Sequence, residues 1–268
     1  METILIPSTA EAIISTSSKG DQSKWRIGEK WIKQNTRGYE HLAEYAVSLI
    51  LANSTLGPTD FITYVPCQLL LENNGKTFGC YSLDFRGADK QEVSLERLFE
   101  KHYETTHSIL GKTTLSANEK LNQIVEKVTD FTGLDIRLPL TRMLALDAFI
   151  LNEDRHTNNI LFLYDTKANK WELAPLFDHG LSLLSDEKDY PQKVDIAILK
   201  RQVKSKPFNA SFKKQLALYN GPPFIYKERL QNALVEQSFD LGRIKDLLKM
   251  QLDDPAYQKL LIVGDKND

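Results

Sequence analysis

The stretch LDAFILNEDRHTNNILFLYDTKANKWELAPLFDHG, residues 146–180, decides how the rest of the chain is read. Leu140, Met143, Leu144, Leu146, Phe149, Ile150 and Leu151 form an apolar majority at helical spacing, and Pro139 suits a first turn, so a helix over 139–151 is expected. Asn152 and Glu153 end it. Ile160 to Tyr164 is a nearly continuous apolar run, too short for a helix and suited to a buried strand. Asp165 to Lys170 is turn chemistry, and Trp171 to Leu176 alternates as a second strand. A hairpin returns the chain to its origin. The polar loops that flank it, with Asp154, His156, Asn158 and Asn159 on one side and Asp178 and His179 on the other, therefore meet at one end.

Transfer of a phosphoryl group to a hydroxyl needs a carboxylate within reach of that hydroxyl and oxygen ligands for a metal beside the phosphates. Asp154, Asn159 and Asp178 supply this set, and magnesium favours hard oxygen donors with only one or two carboxylates. The rival is a metal-dependent hydrolase with Asp154, His156, Asp178 and His179 as ligands. It leaves Asn159 and the N-terminal half unexplained.

The run Asp154-Arg155-His156-Thr157-Asn158-Asn159-Ile160, followed by Phe177-Asp178-His179-Gly180, resembles the catalytic and metal-binding loops of HipA-like bacterial serine/threonine kinases and of the phosphoinositide 3/4-kinases that share their fold. The resemblance implies that Asp154 is the catalytic carboxylate, that Asn159 and Asp178 hold magnesium, and that His156 supports catalysis. His179 stands where many protein kinases have Phe. Ser-x-x-Gly-x-Gln-x-Lys, here Ser17 to Lys24, is similar to the phosphate-binding loop of HipA-like kinases, which points to Ser17, Ser18 and Gly20 as nucleotide contacts and to Ser17 as a phosphorylation position. Without the family, one glycine among serines reads as an ordinary loop between two strands.

Trp31 to Gln34 is a short strand whose Lys33 is the candidate cation for the nucleotide phosphates and for catalysis. A helix over 39–51 follows, with Leu42, Tyr45, Ala46, Leu49 and Ile50 on one face. Glu40 and Glu44 are both able to pair with Lys33; the family pattern favours Glu40, while the helical wheel sets both opposite the apolar stripe, toward solvent. Phe61 to Val65, Gln68 to Leu71 and Thr77 to Phe85 read as strands, with Asn73-Asn74-Gly75 as a hairpin turn. By analogy the last strand leads to an adenine site lined by Tyr81 and Phe85. Beyond Arg86, Ser94–Phe99, Ala117–Phe131, Phe224–Gln237 and Leu241–Leu252 carry helical signals. The basic stretch with Lys188, Lys193, Lys200, Arg201, Lys204, Lys206, Lys213 and Lys214 reads as a mostly solvated face, a minority of it available to phosphate or an acidic substrate.

At 268 residues, with 41% hydrophobic and 26% charged residues, the chain has ordinary globular composition. A net charge of −2 provides no basic field for nucleic acid. Cys67 and Cys80 make neither a metal spacing nor a disulfide framework and fit a reducing compartment. No secretory signal or membrane span is expected, which points to the cytoplasm. The expectation is an α+β, two-lobed protein-kinase-like fold: a sheet-rich N-lobe over 1–85 and a mainly helical C-lobe over 86–268. The function it implies is an ATP- and Mg2+-dependent serine/threonine protein kinase. The alternatives are a phosphoinositide-type lipid kinase and a nucleotide-binding pseudokinase that acts by interaction. The family includes autophosphorylating toxins held by antitoxins, which implies a protein substrate and a small partner chain. HipA proteins carry an extra N-terminal subdomain for which no room is seen before Ser15, so a stand-alone kinase or one completed by a separate chain is expected.

Overall fold

The computed structural model describes residues 1–17, 20–72, 75–86 and 89–264. It separates into two compact units. One comprises Met1–Asp84, Phe177–Gln202 and Pro223–Asp268, the other Phe85–Leu176 and Val203–Pro222. The break after Asp84 falls beside the expected lobe boundary, but the first unit also takes in two later segments that the sequence reading assigned to the second lobe.

The first unit opens with strands β1 (Glu2–Ile6), β2 (Ile13–Ser17), β3 (Gly20–Ile27) and β4 (Lys30–Gln34), followed by helix α1 (Glu40–Ala52) and strands β5 (Val65–Leu71) and β6 (Gly75–Leu83). They form one six-stranded sheet in the order β1-β5-β6-β4-β3-β2. Only β1 and β5 pair in parallel; the other pairs are antiparallel. Directly opposed residues share a sheet face, and successive residues alternate. The registers Lys24↔Lys33 and Lys33↔Cys80 thus place these three on one face, while Trp25, Ile32 and Tyr81 take the other. That second face is apolar. Ile6, Trp25, Ile32, Cys67 and Leu69 are buried there as a cluster. Gly79 sits where β6 crosses β4, and a Cβ there would lie 2.2 Å from the Lys33 carbonyl oxygen, so only glycine permits this approach.

Several sequence readings are revised. β1 carried no clear strand signal because it is a sheet edge with four of its five residues exposed or half-exposed. Phe61 to Tyr64 is irregular, and the strand begins at Val65. Ser17 ends β2 opposite Gly20, which opens β3. Ser18 lies outside the described residues, and Ser17 and Gly20 enter only through this backbone pairing. Asn73 and Asn74 also lie outside them; Leu71 opposes Gly75, which has φ +80°.

The second unit begins with β7 (Lys90–Ser94) and helices α2 (Leu95–His102), α3 (His107–Leu110), α4 (Ala117–Thr132) and α5 (Arg137–Ile150). α4 starts at a capping box, Ser116 with Glu119, and stops at Gly133 in the left-handed conformation. α5 is buried along nearly its whole circumference, the mark of a central core helix. Strands β8 (Leu161–Asp165) and β9 (Lys170–Leu173) form the expected hairpin, with Phe162 opposite Leu173, and β7 pairs along the other edge of β8.

The chain returns to the first unit with α6 (Ile196–Lys200), enters the second with α7 (Phe212–Leu216), which packs on α5, and ends in the first with β10 (Ile225–Tyr226), α8 (Lys227–Glu236), α9 (Arg243–Asp253) and β11 (Leu261–Ile262). Cys67 and Cys80 are buried free thiols. Among the described residues no helix is long and apolar enough to cross a membrane.

Candidate active site

In the first unit, Lys33 is the centre of a buried charge cluster. Its Nζ donates to Glu44 Oε1 and to Asp178 Oδ1, each at 2.7 Å. Burial disfavours its charged form, and the carboxylates of Asp178 and Glu44 override that and hold its pKa well above the usual lysine value. Burial pushes the Glu44 carboxyl up, and the Lys33 ammonium beside it opposes the shift. Lys24, one strand over on the same face, lies 3.9 Å from Asp178 Oδ2. Burial lowers its pKa and Asp178 pulls it back. The two Asp178 oxygens thus face one lysine each. The Lys33 ammonium also lies 4.7 Å from the centroid of the buried Tyr64 ring.

Glu44, not Glu40, is the partner of Lys33. Glu40 holds the loop that leads into its own helix: its Oε1 accepts the amides of Thr36 and Arg37 at 2.9 and 2.7 Å, and its Oε2 that of Gly38 at 2.9 Å. The helical-wheel reading sent both glutamates to solvent, yet both are buried. α1 is enclosed on more than its apolar stripe, so its polar positions face protein. A carboxylate in the first turn of a helix is a natural amide acceptor, and that is the signal by which Glu40 could have been set apart.

Past Asp178 the chain is pinned in place. Asp178, Leu183 and Leu184 all have left-handed φ, at 58°, 54° and 59°. Each such non-glycine residue costs on the order of 1 kcal/mol or more. The compensation comes from nearby. The His179 amide donates to Glu44 Oε2 at 3.0 Å, Ser182 Oγ to the His179 carbonyl at 2.7 Å and Ser185 Oγ to the Gly180 carbonyl at 2.5 Å. Arg37 pairs with the fully buried Asp186, and the Tyr39 amide donates to the Ser185 carbonyl at 3.2 Å. A Cβ on Gly38 would come within 2.1 Å of that carbonyl, so this close contact requires glycine. Arg243, at the start of α9, donates to the carbonyls of Leu184 (2.6 Å), Tyr190 (2.8 Å) and Pro191 (3.1 Å) and to the Tyr39 hydroxyl (2.9 Å).

In the second unit, the loop after α5 is built on a buried ion pair. Arg155 and Asp147 are both fully buried, with Arg155 Nε 2.9 Å from Asp147 Oδ2 and Nη2 3.2 Å from Oδ1. Arg155 Nη1 also donates to the Asn159 carbonyl at 2.8 Å. Asn152 Nδ2 donates to Asp147 at 2.7 Å, and its Oδ1 accepts the Asp154 amide at 3.1 Å. Asp154 and Asn159 are thereby fixed in one loop, and Asn159 Nδ2 donates to the Asp154 carbonyl at 3.0 Å. His156 belongs to the same loop, its Nε2 3.8 Å from Asp154 Oδ2. Asn158 is structural, accepting from Ser94 Oγ at 3.0 Å.

Two other expected residues stand apart. Tyr81 is on the sheet face opposite Lys33, its ring 4.0 Å from the Lys30 ammonium, which itself pairs with Glu2 at 2.7 Å. The alternation of β6 puts Cys80 and Ser82, not Tyr81, on the Lys33 face. Phe85 is half-buried in the irregular segment after β6. Among the described residues no group of three or more His, Cys, Asp or Glu is arranged to hold a metal, which is the kind of set the hydrolase reading requires.

A lysine paired with a helix glutamate on a small, mostly antiparallel sheet in one unit, and a helix, polar loop and hairpin in the other, define a protein-kinase-like α+β fold. A solved kinase shares it. The Helicobacter pylori proinflammatory kinase CtkA is similar over 92% of this chain and 93% of its own, at 16% identity and a TM-score of 0.57. The Golgi casein kinase matches 94% of this chain and 71% of its own at 12% identity and a TM-score of 0.48, and hydra Fam20 with sugar 95% and 90% at 13% and 0.37. No family model and no curated protein matches the chain in sequence.

Proposed function

We propose that this chain is an ATP- and magnesium-dependent phosphotransferase of the HipA-like type, acting on serine or threonine hydroxyls of a protein. The observation that carries this reading is Lys33 bridging Glu44 and Asp178. A lysine held charged by a helix glutamate and a loop aspartate suits multiply charged phosphate oxygens. Lys24 adds a second cation on the same face.

The donor chemistry fits magnesium. Asp178 offers a carboxylate that is 22% exposed, and Asn159, whose amide nitrogen is committed to the Asp154 carbonyl, offers its amide oxygen. Magnesium-bound ATP would supply the phosphoryl group with part of its charge already neutralised. Glu44 keeps Lys33 extended toward the phosphates, and the buried Arg155–Asp147 pair keeps Asp154 in position. Asp154 orients the acceptor hydroxyl and takes its proton as the new oxygen–phosphorus bond forms and the bond to the bridging oxygen of ADP breaks, ADP leaving with that electron pair. His156, beside Asp154, supports this step. Autophosphorylation at Ser17, a toxin role with an antitoxin chain, and a cytoplasmic setting belong to the same reading through the sequence resemblance.

Incubation with labelled ATP and magnesium tests it. Label is expected on this chain or on protein in a mixture. Asp178→Ala is expected to abolish metal-dependent nucleotide binding, and Asp154→Ala to spare binding while abolishing transfer. Label in phosphoinositide would favour the lipid-kinase alternative, binding without transfer the pseudokinase, and equal loss of binding in both variants would refute the assigned roles.

A further inference from the structure

Asp154 has a cationic neighbour that its loop motif does not supply. Lys206, far along the chain but in the same unit, brings its Nζ to 3.5 Å from Asp154 Oδ1, while His156 Nε2 lies on the side of Oδ2. The Lys206 side chain is 39% exposed, but its backbone is firmly held. Its carbonyl accepts from Gln215 Nε2 at 2.7 Å, and the Phe208 amide donates to Gln215 Oε1 at 3.3 Å. Gln215 itself is fully buried. The Ser205 amide donates to the Ala210 carbonyl at 3.1 Å, and Ser205 Oγ to the Asn209 carbonyl at 2.5 Å. Gln215 belongs to α7, which packs on α5, and the end of α5 launches the Asp154 loop. One rigid pair of helices therefore sets the position of both the lysine loop and the aspartate loop.

A stabilising salt bridge is a poor explanation for this construction, because a pair with one partner this exposed contributes only about 0–1 kcal/mol. A buried glutamine that spends both ends of its amide on a loop defines where that loop's side chains start. At 3.5 Å the ammonium is near Asp154 without a tight hydrogen bond to it.

We propose that Lys206 is a catalytic residue on the acceptor side of phosphoryl transfer, its ammonium neutralising the phosphoryl oxygens as the group passes to the hydroxyl that Asp154 orients. This rests on the phosphotransferase reading. The test compares the full-length protein with Lys206→Met and Lys206→Arg. Removing one preorganised charge donor should lower kcat by about 10²–10³-fold with the dissociation constant for magnesium-bound ADP changed by no more than about twofold, and arginine should restore part of the rate. A second readout needs no turnover: adding aluminium fluoride to magnesium-bound ADP, a mimic of the phosphoryl group in flight, should tighten binding to the wild type, and Lys206→Met should lose about tenfold or more of that gain. If Lys206→Met keeps the wild-type kcat and the full gain, the inference is overturned while the phosphotransferase reading stands. If the wild type binds no magnesium-bound ADP, both fall together.

Discussion

Replacing Arg155 by Met is the most exacting test of the loop that carries Asp154. Arg155 is the largest of the fully buried side chains, and its guanidinium meets both oxygens of Asp147, itself fully buried, and the Asn159 carbonyl. Methionine fills most of the volume but leaves Asp147 with the Asn152 amide as its remaining partner among those described above. Removing one partner of a buried ion pair costs about 3–5 kcal/mol, because the survivor stays desolvated. The orphaned Asn159 carbonyl adds about 1–3 kcal/mol, partly relieved as the loop relaxes toward water. A net loss of about 4 kcal/mol, against a typical stability of about 5–15 kcal/mol, would be unmistakable in a urea unfolding curve. The double variant Asp147→Leu/Arg155→Met should recover at least about half of the loss, since an apolar pair replaces the stranded charge. Its catalytic rate should stay depressed, because Asn159 has lost its tether. A cost below about 1 kcal/mol for Arg155→Met, the range of an ordinary surface change, would refute this account, as would strict additivity in the cycle.

Two further outcomes follow from the first unit. Glu44→Gln should weaken binding of magnesium-bound ATP by about tenfold, the scale of a lost charged contact near 1.4 kcal/mol, and Glu40→Gln should leave binding intact but lower stability by about 1–3 kcal/mol; the reverse pattern in calorimetry and thermal melts would restore Glu40 as the Lys33 partner. Burial pushes the His41 pKa down from 6.5 to about 4, and its Nδ1 lies 2.6 Å from Asn35 Nδ2, a donor that only the neutral ring can accept. The unfolded chain takes up this proton near pH 6.5 and the folded one only near pH 4, so stability is intact above the window and lost as pH falls through it, by on the order of 3 kcal/mol. His41→Phe should flatten that dependence in denaturant melts between pH 4 and 7; an unchanged slope would exclude His41 as its source.

What the sequence disclosed was local. The β8–β9 hairpin, the span of α4 and the DRHTNN loop after α5 all follow from spacing and end signals between neighbours. What it withheld depends on distant packing. Glu40 and Glu44 are one turn apart, and only the enclosure of α1 shows that one holds the preceding loop and the other meets Lys33. Tyr81 was misplaced for want of the register with Ile32, since a shift of one residue exchanges the faces of a strand. Nothing in the sequence marks Asp147, within a mostly apolar helix, as the partner of Arg155. Lys206 was one of eight basic residues in its stretch, with nothing local to mark it.

The first unit is assembled from three stretches of chain, and its bonds span the sequence: Lys33 meets Asp178 across 145 positions, and Tyr39 meets Arg243 across 204. During synthesis at about 5–20 residues per second, the clasp made by Arg243 is missing for many seconds after the amino-terminal sheet has left the ribosome. Such remote partners make for slow maturation. In the nascent chain the segment after Asp178 stays unclasped until translation has passed Arg243.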